Sequence, residues 1–211
     1  MSLFLALMLA AAAPAEAEIG GAASVEERQG LHLAGQCIVN ERSKEVRALL
    51  AMDFRDTKYG RRMHNLVNGG GMGCRGVNVP RGVYKAGGLL WAGSLAEWLL
   101  RRDRMLDNLA AHTDFKPELP TIEARNAGEY LAYCLVRTNP QGAAAMLRTD
   151  PATSQELDAL KAIGPSLSAC VPANSKSEFT RESLRALLAL GAQRLAAHNE
   201  GGSSSSRESA K

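Results

Sequence analysis

"GQCIVNERSKEVRALLAMD" (residues 35–53) and "AYCLVRTNPQGAAAMLRTD" (residues 132–150) decide how this chain folds. Laid one above the other, Cys37 falls on Cys134, Val39 on Val136, Ala48 on Ala145, Leu50 on Leu147 and Asp53 on Asp150. Ile38 faces Leu135, and Leu49 faces Met146. Cys74 follows Cys37 by 37 positions, and Cys170 follows Cys134 by 36. Beyond them, "YKAGGLLWAGSLAEWLL" (84–100) lies over "FTRESLRALLALGAQRL" (179–195), with Leu89, Leu95 and Leu100 on Leu184, Leu190 and Leu195. Agreement over this length, at nearly equal cysteine spacing, predicts a tandem duplication.

Each copy reads as helix, short helix, helix, loop, helix. In the second copy an apolar-periodic run from Ile122 to Val136 carries Cys134, and Asn139-Pro140 supplies a cap and a first-turn proline for a short helix. Thr153-Ser-Gln-Glu156 is a capping box, and Gly164-Pro165 predicts the end of the helix that it starts. Thr180 opens the last helix, whose leucines form a broad apolar stripe. In the first copy Ser24-x-x-Glu27 caps the first helix and Ser43 opens the short one. No stretch sustains period-2 alternation, although "RGVNVPRGVY" (75–84) suits a brief extended segment. The expectation is an all-α fold with a pseudo-twofold relation between halves: residues 18–102, a linker over 103–120, and residues 121–198. The Gly/Ser-rich segment 199–211 predicts a disordered tail.

Composition agrees with close-packed helices. Hydrophobic residues make up 45% of the 211, aromatics only 5%, and Ala and Leu abound. A formal charge of +3 is too small to point to a nucleic-acid partner. At the N-terminus an apolar run from Leu3 to Ala13 precedes Pro14 and an A-x-A pattern at 15–17, the layout of a cleaved signal peptide without its usual leading base. The run is too short to span a membrane, for which roughly 20 apolar residues are needed. Residues 1–17 are therefore read as a signal peptide, and the mature chain as periplasmic or secreted. "LAGQC" (33–37) is one residue too long for a lipid-attachment box and lies too far from the apolar run.

Export makes the four cysteines, Cys37, Cys74, Cys134 and Cys170, disulfide candidates. No C-x-x-C is present for zinc and no C-x-x-C-H for haem, and no cofactor is expected. Three connectivities are open. Pairing within copies, Cys37–Cys74 and Cys134–Cys170, closes the shorter loops and repeats one geometry, each loop stabilising the fold by roughly 4 kcal/mol in the chain-entropy model. Buried free thiols are the alternative.

"AYCLVRTNPQGAAAMLRT", "LSACVP" and "LLWAGSLAEWLL" together resemble a family of small exported proteins of alphaproteobacteria, especially sphingomonads. The family carries two such copies, with a "CVV-R-x-P-x-x-A-x-x-L-L" phrase around the first cysteine of each. The resemblance covers residues 25–196 and implies architecture only, because the family has no assigned activity. The first copy departs from the pattern, with Ser43 where the proline is expected.

The site candidates are few. "NGGGMGCRG" (68–76) has glycines but no Lys-Ser/Thr after them, and its aligned partner "IGPSLSACVP" loses both the glycine run and the arginine, which argues against a phosphate loop. His32, His64, His112 and His198 are scattered without metal-ligand spacing, and no G-x-S-x-G occurs. Asp53 and Asp150 suit turns. One asymmetry remains: from Thr57 to Ala96 the first copy has no acid but carries Lys58, Arg61, Arg62, Arg75, Arg81 and Lys85. Arg61, Arg62, Arg75 and Arg81 form a candidate anion-binding patch, since guanidinium forks suit phosphate and carboxylate. The alternative is a solvated basic face over core aromatics. The expected function is non-enzymatic binding or scaffolding in the envelope, toward an anionic component or a protein partner. The competing expectation is an enzyme or small-ligand protein using the cleft between the copies, with Arg61, His64, Arg75 or Glu97 as its polar groups.

Overall fold

The computed structural model describes residues 23–69, 74, 86–171 and 179–208. The apolar leader, Arg75, Arg81 and the segment expected to be extended lie outside these residues. Among the described residues the chain is all-helical. The helices are α1 (Val25–Leu50), α2 (Thr57–Gly69), α3 (Gly88–Arg102), α4 (Leu109–Thr113), α5 (Ala127–Thr138), α6 (Pro140–Arg148), α7 (Ser154–Cys170) and α8 (Arg181–Glu208), with a 3₁₀ turn at Met105–Asn108. No helix among them is long and apolar enough to cross a membrane.

Local chemistry sets the helix starts. The Ser24 hydroxyl accepts from the Glu27 N–H at 3.1 Å while the Glu27 carboxylate accepts from the Ser24 N–H at 2.9 Å, a reciprocal box. Asn139 accepts from the Gly142 N–H at 2.9 Å, and Pro140 fills the first turn of α6. Thr153 accepts from the Glu156 N–H at 3.2 Å, but Glu156 reaches back to the Ala152 N–H at 2.9 Å rather than to Thr153 itself.

α1 is two helical segments across a kink: Arg42 is non-helical (φ −131°, ψ 36°), and Ser43 opens the second segment, as the sequence predicts. Three boundaries differ from the sequence expectation. α5 starts at Ala127, not near Ile122, since Asn126 caps it by accepting from the Glu129 N–H. α7 continues past Gly164-Pro165 to Cys170; a proline deletes one helical donor, and the turn beyond is tied by Ser168 Oγ donating to the Gly164 carbonyl at 3.3 Å. Finally, α8 extends beyond residue 198 to Glu208, where a disordered tail is expected. Its continuation has an anchor: Asn199 is buried, and its amide donates to the carbonyls of His112 and Asp114, both at 2.9 Å.

Two disulfides join Cys37 to Cys74 and Cys134 to Cys170, each with a Cα–Cα distance of 5.7 Å. The within-copy pairing is the one present, and it suits an oxidising compartment. The core centres on α3 and α8, with Leu95, Leu99, Leu100, Leu188 and Leu195 almost wholly buried. α8 also packs on α5, α4 and α6, and α3 on α1. Small residues let α3 and α8 come close: a Cβ added at Gly93 would stand 2.4 Å from the Ala186 Cα. Gly93→Ala should therefore lower stability by about 2 kcal/mol through overpacking against backbone. Gly88→Ala, whose added Cβ meets nothing within 4 Å, should be neutral or stabilising. Thermal and urea unfolding of the two variants checks this, and equal melting temperatures would contradict the close approach.

Candidate functional site

A cleft of about 510 Å³ opens between α2 and α3 on one side and α5 and α8 on the other. Its walls are mainly apolar and aromatic: Tyr59, Met63, Trp91, Tyr133, Leu187 and Leu190. Helical spacing explains the lining, because Tyr59, Met63 and Val67 recur every fourth residue of α2 and turn one apolar stripe inward. Burial pushes the Tyr59 and Tyr133 phenols up, so both stay neutral.

Glu129, Arg194, His64 and Asn68 are polar groups of the lining. Glu129 is held by Arg125, whose backbone N–H donates at 2.8 Å and whose guanidinium Nη2 donates at 2.7 Å, and it also pairs with Arg194. Arg125 lies over the Phe54 ring at 5.1 Å. His64 and Asn68, one turn apart on α2, bond side chain to side chain at 2.9 Å. Two arginines already satisfy Glu129, so its carboxylate serves to hold Arg194 at the wall rather than to act as a base.

The sequence candidates do not converge as a catalytic set. His64 is exposed on the cleft lining, and Arg61, exposed too, precedes it by three residues on α2. Arg62 is exposed and donates toward the Met52 sulfur at 3.5 Å. Arg75 and Arg81 lie outside the described residues. Glu97 is buried elsewhere, bonded to Arg101 of α3 and Arg185 of α8. Asp53 accepts from the Arg55 N–H at 2.9 Å, closing a turn. Cys37, Cys74 and Glu41 are the one grouping of possible metal ligands among the described residues, and its two sulfurs are bonded to each other.

What holds the cleft walls in place is a buried ion cluster. Arg185 of α8 forks onto Glu97 of α3, Nε to Oε2 at 2.8 Å and Nη2 to Oε1 at 2.7 Å. Its Nη1 donates to Glu156 of α7 at 2.9 Å and to the Thr149 hydroxyl at 3.2 Å, and Nη2 also donates to the Thr149 carbonyl at 2.6 Å. All five donors are used. Arg101 adds a bond to Glu97 at 3.0 Å and one to the Thr149 carbonyl at 2.8 Å. Burial opposes the Arg185 charge, but the bonds and charges of Glu97 and Glu156 outweigh it and raise its pKa. His32 of α1 lies 3.5 Å from Glu97, and its ring packs on Trp98 with centroids 4.6 Å apart.

Nothing in the sequence marks this cluster as a motif. Its one signal is a lone charge in each of two apolar helical runs, Glu97 in "WAGSLAEWLL" and Arg185 in "SLRALLAL".

Two outcomes follow. Arg185→Leu should cost roughly 3–5 kcal/mol, because Glu97 and Glu156 would remain buried without their shared partner; a loss below about 1 kcal/mol in urea unfolding would show the cluster to be dispensable. The fold makes His32 harder to protonate than it is in the unfolded chain. Burial, with the charges of Arg101 and Arg185, lowers its pKa from 6.5 to about 3. Unfolded chain therefore binds a proton that the fold refuses, so this stability is complete above about pH 6.5 and is lost as pH falls toward 3. His32→Gln should flatten stability across that window by up to about 1.4 kcal/mol per pH unit. Parallel pH profiles for the variant and the parent would refute the assignment.

No family model matches the chain, and comparison with curated proteins and with solved structures finds no match either.

Proposed function

We propose that this is an exported binding protein, built from two copies of one disulfide-stapled helical unit, that takes an amphiphile with an anionic head in the cleft between them. The carrying observation is the cleft itself: about 510 Å³, mainly apolar, with walls from both halves of the chain. An apolar body suits Trp91, Met63 and Leu187. The head suits the basic side of α2, where no acid occurs from Thr57 to Gly69 and Arg61 stands three residues before His64. In this reading Arg61 is the part of the arginine patch that serves the site.

The duplication is supported by two pairs of aligned features. Arg42 and Asn139 fall on each other in the cysteine register, and both break the helix with similar backbone angles, φ −131° and ψ 36° against φ −142° and ψ 63°. Gly35 packs on Ser94 of α3, and its aligned residue Ala132 packs on Gly191 of α8, so the same position in each copy makes a close helix contact, although Ser94 itself falls on Ala189, two residues before Gly191. An envelope location, periplasmic or secreted, is supported by the apolar leader with its A-x-A pattern and by the two disulfides.

Gly60 allows the cleft to be blocked without harming the fold. It lines the cleft, and a Cβ added there meets nothing within 4 Å. Gly60→Leu should raise helix stability by up to about 1 kcal/mol and weaken binding of anilinonaphthalene sulfonate, an aromatic anion, at least about tenfold, a loss of 1.4 kcal/mol. Arg61→Gln should weaken the same probe severalfold. Undiminished probe fluorescence in a well-folded Gly60→Leu protein would sink the proposal.

A further inference from the structure

We propose that the protein holds a second ligand in a small cleft beside α1, where His32 and Arg28 bind the hydroxyl groups of a small uncharged molecule with one apolar face, such as a sugar ring or a short polyol. This cleft, about 230 Å³, lies against faces of α3 and α8 other than those of the larger one, between Leu90, Gly93 and Ser94 on α3 and Arg185 and Ala186 on α8. Two polar atoms of its lining are buried and have no hydrogen-bond partner: Nε2 of His32 and Nε of Arg28. His32 as a whole is 6% exposed. A buried polar atom without a partner costs about 1–3 kcal/mol, so two within one cleft mark a place built to be filled.

The chain contains its own control for this geometry. The register that lays Cys37 on Cys134 lays Arg28 on Arg125 and His32 on Glu129. Arg125 and Glu129, one turn apart, satisfy each other: the Arg125 Nε donates to both Glu129 oxygens at 3.1 Å. With histidine in place of glutamate, the equivalent pair on α1 cannot close. The carboxylate that would have accepted from Arg28 Nε is gone, and an imidazole nitrogen stands in its place.

The ligand's chemistry follows from the two atoms. Nδ1 of His32 faces the Glu97 carboxylate at 3.5 Å, an acceptor, which assigns the ring proton to Nδ1 and leaves Nε2 as an acceptor. The depressed pKa of His32 keeps it so at ordinary pH. Arg28 Nε is a donor. A hydroxyl group meets both demands, because it donates and accepts at once. The charges around the cleft balance at four each: Arg28 pairs with Glu182 at 2.9 Å, Arg185 with Glu97 and Glu156, Arg101 with Glu97 and Arg181 with Glu156, and Glu27 lines the cleft as the fourth carboxylate. An ionic ligand would leave an uncompensated charge beside that cluster, which disfavours it. Leu31, Leu90 and Pro151 line the cleft as well and give an apolar face to lie against.

The test is titration of the intact protein, labelled with ¹⁵N at its histidines, with glycerol, glucose and sodium acetate in turn. The expected result is that His32 Nε2 is the unprotonated nitrogen, that glucose or glycerol shifts it saturably with a change in Trp98 emission, and that acetate does not. Arg28→Lys keeps the charge facing Glu182 but removes the Nε donor, and should weaken the responding probe about tenfold, a loss of 1.4 kcal/mol. His32→Phe should abolish the response. Should that variant fail to fold, Arg28→Lys decides alone, and an unchanged affinity there overturns the proposal. A proton on Nε2, binding of acetate in preference to both polyols, or no response to any probe, meaning that water alone fills the cleft, also overturns it.

Discussion

A single guanidinium organises the centre of this protein. Arg185 joins α8 to α3 through Glu97, to α7 through Glu156, and to the turn after α6 through Thr149, and it spends every N–H in doing so. An arginine this deeply buried is tolerable only if both carboxylates arrive at hydrogen-bond distance, since desolvating an unpaired ion costs several kcal/mol. That requirement fixes the spacing of α3 and α8. The helices must come close, and Gly93 against Ala186, next to Arg185 in sequence, is what lets them. Glu97 then stands one turn beyond Gly93, on the same face, where the fork needs it. The smaller cleft borders this contact, lined by Gly93, Glu97, Arg185 and Ala186, and the larger one uses neighbouring faces of the same helices, so a packing choice made at one glycine sets the walls of both.

The cluster also accounts for the unusual state of His32. The ring is buried between Trp98 and Glu97 while two arginines sit nearby, and desolvation and positive charge together exclude its proton. A neutral imidazole facing a carboxylate has one bare nitrogen, which the fold leaves unsatisfied. The same environment that leaves this nitrogen bare makes the protein less stable in acid.

Much of this architecture was legible in residue order, and the parts that were not share a physical reason. Capping chemistry is local, so Ser24 with Glu27, Asn139 with Pro140 and Thr153 with Glu156 sit at helix starts where the sequence puts them. Equal cysteine spacing identified the disulfide partners because a staple repeated in each half is also the one that closes the shorter loop. Helix ends were harder. Gly164-Pro165 reads as a stop, yet the chain beyond it is bound to Cys134 by a disulfide, and tertiary anchoring overrides a local signal. Asn199 likewise belongs by composition to a flexible tail but is fixed by two distant carbonyls. Arg185 and Glu97 are 88 positions apart, the cleft lining runs from Phe54 to Arg194, and periodicity carries no record of such partners. Only the oddity of a lone charge in an apolar run hinted at them.

Each disulfide closes a loop inside its own half of the chain, and together they use every cysteine. Between the halves the only covalent tie is the peptide backbone through the linker after α4. Across the seam Gly93 meets Ala186 and Arg185 forks onto Glu97. A nick in the exposed stretch around Pro117 and Glu118 would therefore leave two stapled fragments with complementary faces and no bond between them. Fragment pairs of this kind lend themselves to reassembly in trans, so the halves can be regarded as a heterodimer that happens to be encoded in one chain.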